Sequence, residues 1–274
     1  MSKIEKTFKE LKSRKEKALV MYLTAGDPDL DTTKKLLIAI EEAGADIIEV
    51  GIPFSDPMAD GPTIQRAAGR ALEAGTTLEM IFDMLDDVRP KLSVPIILFG
   101  YYNPVLSFGL KKFTKRAAGI GIDGLILVDL PHEESREIRR FTDNVTDNIN
   151  GGGIDFINLI SPVTNDERLK KIVGDATGFL YYVSVTGVTG ARSELPPEVE
   201  DQIVNVKGIT ELPVVVGFGV SNPETAARLG KVSDGVVVGS ALVNIIEEYG
   251  NKEDILIEKV RKFVSSLKSG LKGT

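Results

Sequence analysis

Short apolar runs rich in β-branched residues recur eight times along this chain, at 18–23, 46–50, 95–99, 124–128, 154–160, 179–184, 213–216 and 235–238. Between them lie segments of helical periodicity; in 31–43, for example, Leu36, Leu37, Ile40 and Ala43 share one face. Continuous rather than alternating apolarity indicates strands buried on both faces, as in a parallel sheet. Eight strand–helix units within 274 residues predict an α/β fold, the TIM (β/α)8 barrel. The alternative is a doubly wound open sheet, which usually has fewer strands and a Gly-rich turn after the first.

No low-complexity linker divides the chain, so 1–274 is expected to form a single TIM-barrel domain. A helix over about residues 3–14 precedes the first strand and is expected to plug the barrel bottom. Helical segments outnumber strands: 77–88 and 241–249 read as extras, and a last helix covers about 252–268. The Asn- and Gly-rich stretch 143–153 is the least barrel-like.

Composition narrows the function classes. No apolar run approaches the ~18–20 residues of a membrane span, and the run at 18–23 is too short for a signal-peptide core. The absence of Cys excludes a disulfide framework or a thiolate metal site. A cytoplasmic protein is predicted, in which the Asn144-Val-Thr146 sequon is a chance match. A net charge of −7 with scattered basic residues argues against nucleic-acid binding.

In a TIM barrel, function sits at the C-terminal ends of the strands. Those ends carry Asp27, Glu49, Phe99 to Tyr102, Asp129, Ser161, Ser184, Gly217 to Gly219, and Gly239 with Ser240. No Lys is among them, so a Schiff-base aldolase has no nucleophile here. His132 is the chain's one His and no Cys exists, which excludes a His-rich metal site but not an all-carboxylate Mg²⁺ site. Carboxylate acid/base chemistry remains. Glu49 interrupts an apolar strand, where desolvation raises a carboxyl's pKa into useful range, and the stiff loop beyond it carries Asp60. Two carboxylates in unlike surroundings suit proton shuttling.

The loops GFGVS at 217–221 and VGS at 238–240 follow the last two strands, and Gly239-Ser240 opens a helix. Backbone N–H groups there can bind phosphate without a cation. One such loop reads as a tight turn; the pair at this place reads as a phosphate cradle. GIGIDG at 119–124 matches the dinucleotide pattern but precedes a strand, so it is a helix-to-strand connection. His132 is expected to be exposed in the first turn of the next helix. Asp129 is either a site wall or the cap of that helix, and Asp27-Pro28 a turn.

The stretch from Glu49 through GIPFSDPMADGPTIQ at 51–65 closely resembles the signature of the tryptophan synthase alpha chain family. The resemblance continues, in order, through LTAGDP at 23–28, YYNP at 101–104, DLP at 129–131, SVTGVTG at 184–190, GFGVS and VGS. It implies retro-aldol cleavage of indole-3-glycerol phosphate to indole and glyceraldehyde 3-phosphate. Glu49 then matches the general acid/base, and Asp60 the carboxylate that receives the indole N–H. Tyr181 matches a tyrosine beside the acid; Tyr22, Phe99, Leu127 and Phe218 would line the indole pocket, with Tyr22 standing where relatives often carry Phe. Thr189 and Gly190 fall in a loop expected to close over substrate. Gly190, Gly219, Gly239 and Ser240 match phosphate contacts.

No cofactor or metal is implied for this chain. PLP is expected only in a partner beta chain, which takes indole on to tryptophan within an alpha2beta2 tetramer. The loop Pro53, Phe54, Asp56, Pro57 is apolar and proline-stiffened, so a covering partner surface explains it; the alternative is that Phe54 folds back on the barrel. Three other functions stay open at this point: a free-standing indole-3-glycerol phosphate lyase, another phosphosugar aldolase or isomerase on the same barrel, and a non-catalytic partner subunit.

Overall fold

The computed structural model describes residues 1–143, 153–183, 197–217 and 219–272. Among these residues nine strands, β1 Ala18–Thr24, β2 Ile47–Gly51, β3 Ile96–Gly100, β4 Gly124–Leu127, β5 Asp155–Phe156, β6 Asn158–Ile160, β7 Leu180–Val183, β8 Val214–Gly217 and β9 Gly235–Val238, pair in the order β5-β4-β3-β2-β1-β9-β8-β7-β6. All pairings are parallel. The ladder's two ends, β5 and β6, are adjoining pieces of one stretch of chain, so the strands form a TIM barrel of eight staves. The fifth stave was expected as one strand over 154–160. It divides because the chain changes partner at Ile157: β5 pairs with β4, and β6 with β7.

The helices are α1 Lys3–Ser13, α2 Leu30–Glu42, α3 Pro62–Glu73, α4 Leu78–Val88, α5 Tyr102–Phe108, α6 Leu110–Ile120, α7 Arg136–Thr142, α8 Asp166–Asp175, α9 Pro197–Ile209, α10 Pro223–Val232, α11 Ser240–Tyr249 and α12 Glu253–Gly270. The N-terminal helix and the extras α4 and α11 stand where the sequence places them. The short α5 is an addition, cut from α6 by Gly109 at φ 93°, a conformation that favours glycine. Segment 144–152, most of the Asn/Gly-rich stretch, lies outside the described residues. Among those described, no helix is long and apolar enough to cross a membrane.

Strand parity creates two cores. Val20, Ile47, Ile97, Ile126, Ile157, Phe179, Val215 and Val237 fill the barrel interior, and Ile4, Phe8 and Leu11 of α1 join them. Alternate strand residues, such as Met21, Ile48, Val50, Leu98 and Leu127, pack outward against the helices. A capping box starts α1: Ser2 Oγ accepts from Glu5 N–H at 3.2 Å, and Glu5 Oε2 accepts from Ser2 N–H at 2.9 Å.

Aspartates, Asp123 buried and Asp46 and Asp234 half-buried, pin strand starts at the opposite end from the site. Asp46 accepts from Leu19 N–H at 2.7 Å, Asp123 from Ile96 N–H at 2.9 Å and Asp234 from Val214 N–H at 2.9 Å. Each also meets a cation: Lys268, Arg89 and Lys207 respectively. Asp46 was expected within the second strand; its side chain instead turns back to β1, and β2 begins at Ile47.

Candidate active site

In β2, Ile47 faces the barrel interior while Ile48 and Val50 face the helices. Strand period two therefore turns Glu49 inward, one layer above Ile47. Its α-carbon partners are Tyr22 on β1 and Ile97 on β3. The carboxyl is fully buried, and neither oxygen has a hydrogen-bond partner among the described residues. Burial pushes its pKa up to about 8.

The same layer holds Tyr22, Phe99 and Tyr181, above Val20, Ile97 and Phe179. Tyr22 and Phe99 meet edge to face at 5.2 Å. The Tyr22 hydroxyl pairs with Thr24 Oγ1 at 3.3 Å and sits where a side chain at Gly51 would be: a Cβ there would come within 2.2 Å of it. Likewise a Cβ at Gly217 would lie 2.3 Å from the Tyr181 ring. These two glycines exist to seat two tyrosines. Burial, and then the nearby carboxylates, push both phenols above their ordinary range: Asp60 is the leading carboxylate at Tyr22 and Glu49 at Tyr181. Glu49 and Asp60 thus act on the same pair of hydroxyls.

Asp60 ends the loop that leads into α3. Its Oδ2 accepts from Tyr101 Oη at 3.0 Å, and the same Oη accepts the Ala59 N–H at 3.0 Å. The carboxyl is half-buried. Burial raises its pKa to about 6, against the Tyr101 bond, which lowers it. Tyr101 is the functional residue that sequence reasoning missed. Its motif was singled out and placed at the end of β3, but nothing local connects it to Asp60.

Gly239 is the N-cap of α11, with no capping side chain, and half-buried Ser240 is that helix's first residue. Gly219 has φ +47° and open space around its Cβ position. Thr189, Gly190 and Phe218 lie outside the described residues.

Leu127 requires a correction. It packs in the outer core against the helices, while its neighbours Ile126 and Val128 face the interior. The Gly100–Leu127 register agrees, since Phe99, one residue earlier, points inward opposite Ile126. The interior-facing positions on this strand are Ile126 and Val128.

Asp129 does not cap the following helix, though it lines a cavity beside it. It accepts from Tyr102 N–H at 2.8 Å, at the start of α5. Asp27 is buried and gripped by Arg70. His132 is half-buried in a 3-10 turn, not exposed, with Nε2 3.5 Å from Asp175. It lines a cavity of about 230 Å³ beside β6 and α8, shared with Asn158, Arg168 and Ile172.

In the loop before Asp60, Pro53 is buried and Pro57 half-buried. Phe54 stacks on Tyr101 at 5.2 Å, so it does fold back on the barrel. Asp56 is exposed. The apolar surface this loop offers to solvent is Met58, 91% exposed.

The sequence profile of the family described as Tryptophan synthase alpha chain matches residues 8–272. The tryptophan synthase alpha chain of Citrifermentans bemidjiense is 50% identical over 275 aligned positions, covering 100% of both chains. That of Geobacter sp. strain M21 is 49% identical, also over 100% of both. Among solved structures, tryptophan synthase subunit alpha from Legionella pneumophila strain Paris superposes with a TM-score of 0.90 at 39% identity, over 100% of each chain.

Proposed function

The chain belongs to the tryptophan synthase alpha chain family, and from that premise we propose how its residues perform the family's lyase reaction, the retro-aldol cleavage of indole-3-glycerol phosphate. The observation that carries the assignment is Glu49: a fully buried carboxyl with neither oxygen partnered among the described residues, facing the barrel interior. A buried polar group left unpaired costs stability. Such a group persists where its partner is the substrate.

Glu49 is the general acid/base. With its pKa near 8 and that of Asp60 near 6, neutral pH leaves Glu49 protonated and Asp60 ionised. That ordering is what the reaction needs. Glu49 gives its proton to indole C3, which makes the ring a leaving group. Positive charge develops at the indole nitrogen, whose N–H donates to the Asp60 carboxylate. The C–C bond electrons return to the ring, the glycerol hydroxyl becomes the aldehyde, and its proton returns to Glu49. One proton is delivered and one recovered, so the enzyme ends as it began. No cofactor enters this sequence.

Tyr22, Phe99, Ile126 and Val128 wall the indole, with Tyr181 beside Glu49 and Phe218 assigned there from the family pattern. Gly219, Gly239 and Ser240 hold the phosphate, the dipole of α11 supplying positive potential; Thr189 and Gly190 complete that end. The barrel works as one domain in the cytoplasm. Membership of the family implies a beta partner. The finer reading is an alpha2beta2 tetramer in which Pro53, Phe54, Asp56 and Pro57 meet the PLP-containing beta chain; exposed Asp56 and Met58 beside Asp60 support that placement.

The test is direct. Purified parent and Glu49→Gln chains receive indole-3-glycerol phosphate, with and without a beta chain, and indole release is followed. Loss of about 10²–10⁴-fold is expected in the variant; retention of more than about a tenth of the rate removes Glu49 from this role.

A further inference from the structure

Four side chains outside the chemistry above tie together the elements that carry it. Arg70 of α3 donates through Nε and Nη2 to the two oxygens of Asp27, 2.8 Å each. Its Nη1 donates to Glu247 of α11 at 2.9 Å. Arg66, one turn earlier on α3, grips both Glu247 oxygens at 2.8 Å. Asp27 lies just after β1 and is 1% exposed.

The two helices so joined hold opposite ends of the assigned site. Helix α3 starts at Pro62, immediately beyond Asp60 and Gly61, and α11 starts at Ser240. Below the ionic network, Ile64 and Ala67 of α3 and Val243 of α11 pack around Tyr22. Apolar packing is non-directional and lets helices slide. A guanidinium fixed on two sides is directional, because its five donors lie in one rigid plane. Only the Asp27 end of this network is buried, the Glu247 side chain being about a third exposed; a buried ion pair is weak evidence of stabilisation but can fix register.

We propose that Arg70 is a positioning residue for the lyase reaction: holding the β1 loop and α11 together, it sets the separation between the Asp60 carboxylate and the phosphate-binding start of α11. The inference rests on the assignment of Asp60 and Ser240 given above. A substrate anchored at both ends feels an error in that separation, whereas a fragment anchored at one end does not.

The experiment compares three ligands on the full chain: indole, glycerol 3-phosphate, and a non-cleavable indole-alkyl phosphate that spans both ends. Removing the Arg70 side chain outright would strand buried Asp27, so Glu247→Gln is the main variant; it leaves the Asp27–Arg70 pair intact. Arg70→Lys is the second, because a lysine keeps the charge but cannot fork between Asp27 and Glu247. Each fragment is expected to bind either variant within about twofold of the parent. The spanning ligand should bind about tenfold more weakly, and kcat should fall with it, since sub-ångström misplacement is felt in rate. Equal loss for all three ligands in Glu247→Gln means a merely structural network and overturns the proposal, as does undiminished affinity for the spanning ligand. Failure of the parent chain to bind either fragment overturns the site assignment itself, and the positioning role with it.

Discussion

Tyr101→Phe separates the two carboxyls of the site by pH. The substitution keeps the ring, and with it the 5.2 Å stacking on Phe54. It deletes the 3.0 Å bond to Asp60 and the 3.0 Å bond from Ala59 N–H. Asp60 sits near 6 because burial raises its pKa while the Tyr101 hydroxyl pulls it back. Removing the donor destabilises only the ionised form, so the pKa must rise. A hydrogen bond to a charged group contributes about 1.5–3 kcal/mol. Asp60 is only half-buried, so water replaces part of the lost bond, and about half of that figure is a fair expectation. At about 1.4 kcal/mol per pH unit, the shift is roughly 0.5–1 unit.

The assay is kcat/KM for indole-3-glycerol phosphate across pH 5–9. The substrate phosphate also titrates near ~6, but identically with both enzymes, so the difference between parent and variant isolates Asp60. The acid limb should move upward by the amount above, while the alkaline limb, set by Glu49 near 8, stays in place. The window of activity therefore narrows from its acid side alone. An unmoved acid limb would show that Tyr101 does not support the ionised Asp60. Movement of both limbs together would mean that the variant disturbs the whole site.

Glu49→Gln should also change how stability depends on pH. The folded carboxyl lies near 8, above its ordinary 4.5, so the parent's stability is full below about 4.5 and is lost as pH rises toward 8. The amide has no such dependence, and its advantage in denaturant unfolding should grow by roughly 4 kcal/mol from pH 5 to pH 8; an equal difference at both pH values rejects the burial argument. Gly239→Asp should weaken glycerol 3-phosphate binding by about tenfold or more and indole much less. Its Cβ would only touch the Tyr22 ring at 3.4 Å, so charge and not a clash is what the titration reads; equal loss of both ligands counts against the phosphate site. Gly217→Ala should cost about 1–3 kcal/mol and displace Tyr181, its Cβ falling 2.3 Å from that ring; an unchanged melting curve refutes this. Asp56→Ala should reduce stimulation by the beta chain far more than the basal rate, and equal stimulation of variant and parent defeats the placement of the interface.

The barrel was legible because eight apolar runs separated by helical periodicity admit few architectures, and the ring from β5 round to β6 is what they form. What continuous apolarity conceals is parity. A strand buried on both faces has no polar residue to mark its outer side, so the run at 124–128 cannot say whether Leu127 or its neighbours face the interior. The structure turns Leu127 outward. The partner change at Ile157 is hidden for a related reason: both halves of that stave are apolar, and nothing in them records which neighbour each will join.

Glu49 announced itself because a carboxylate inside an apolar strand has no packing reason to be there. Tyr101 and Arg70 did not, because each is an ordinary residue in an ordinary place. Tyr101 follows a strand and Arg70 sits in the last turn of a helix. Their significance lies in their partners, Asp60 at 41 residues' distance and Glu247 at 177. No local rule is broken at either end of such a pair, so no local reading can find it. A carboxylate that breaks a rule reveals where the chemistry is. The residues that hold it in register obey every rule, and only the closed barrel, which brings α3 against α11, makes them visible as a unit.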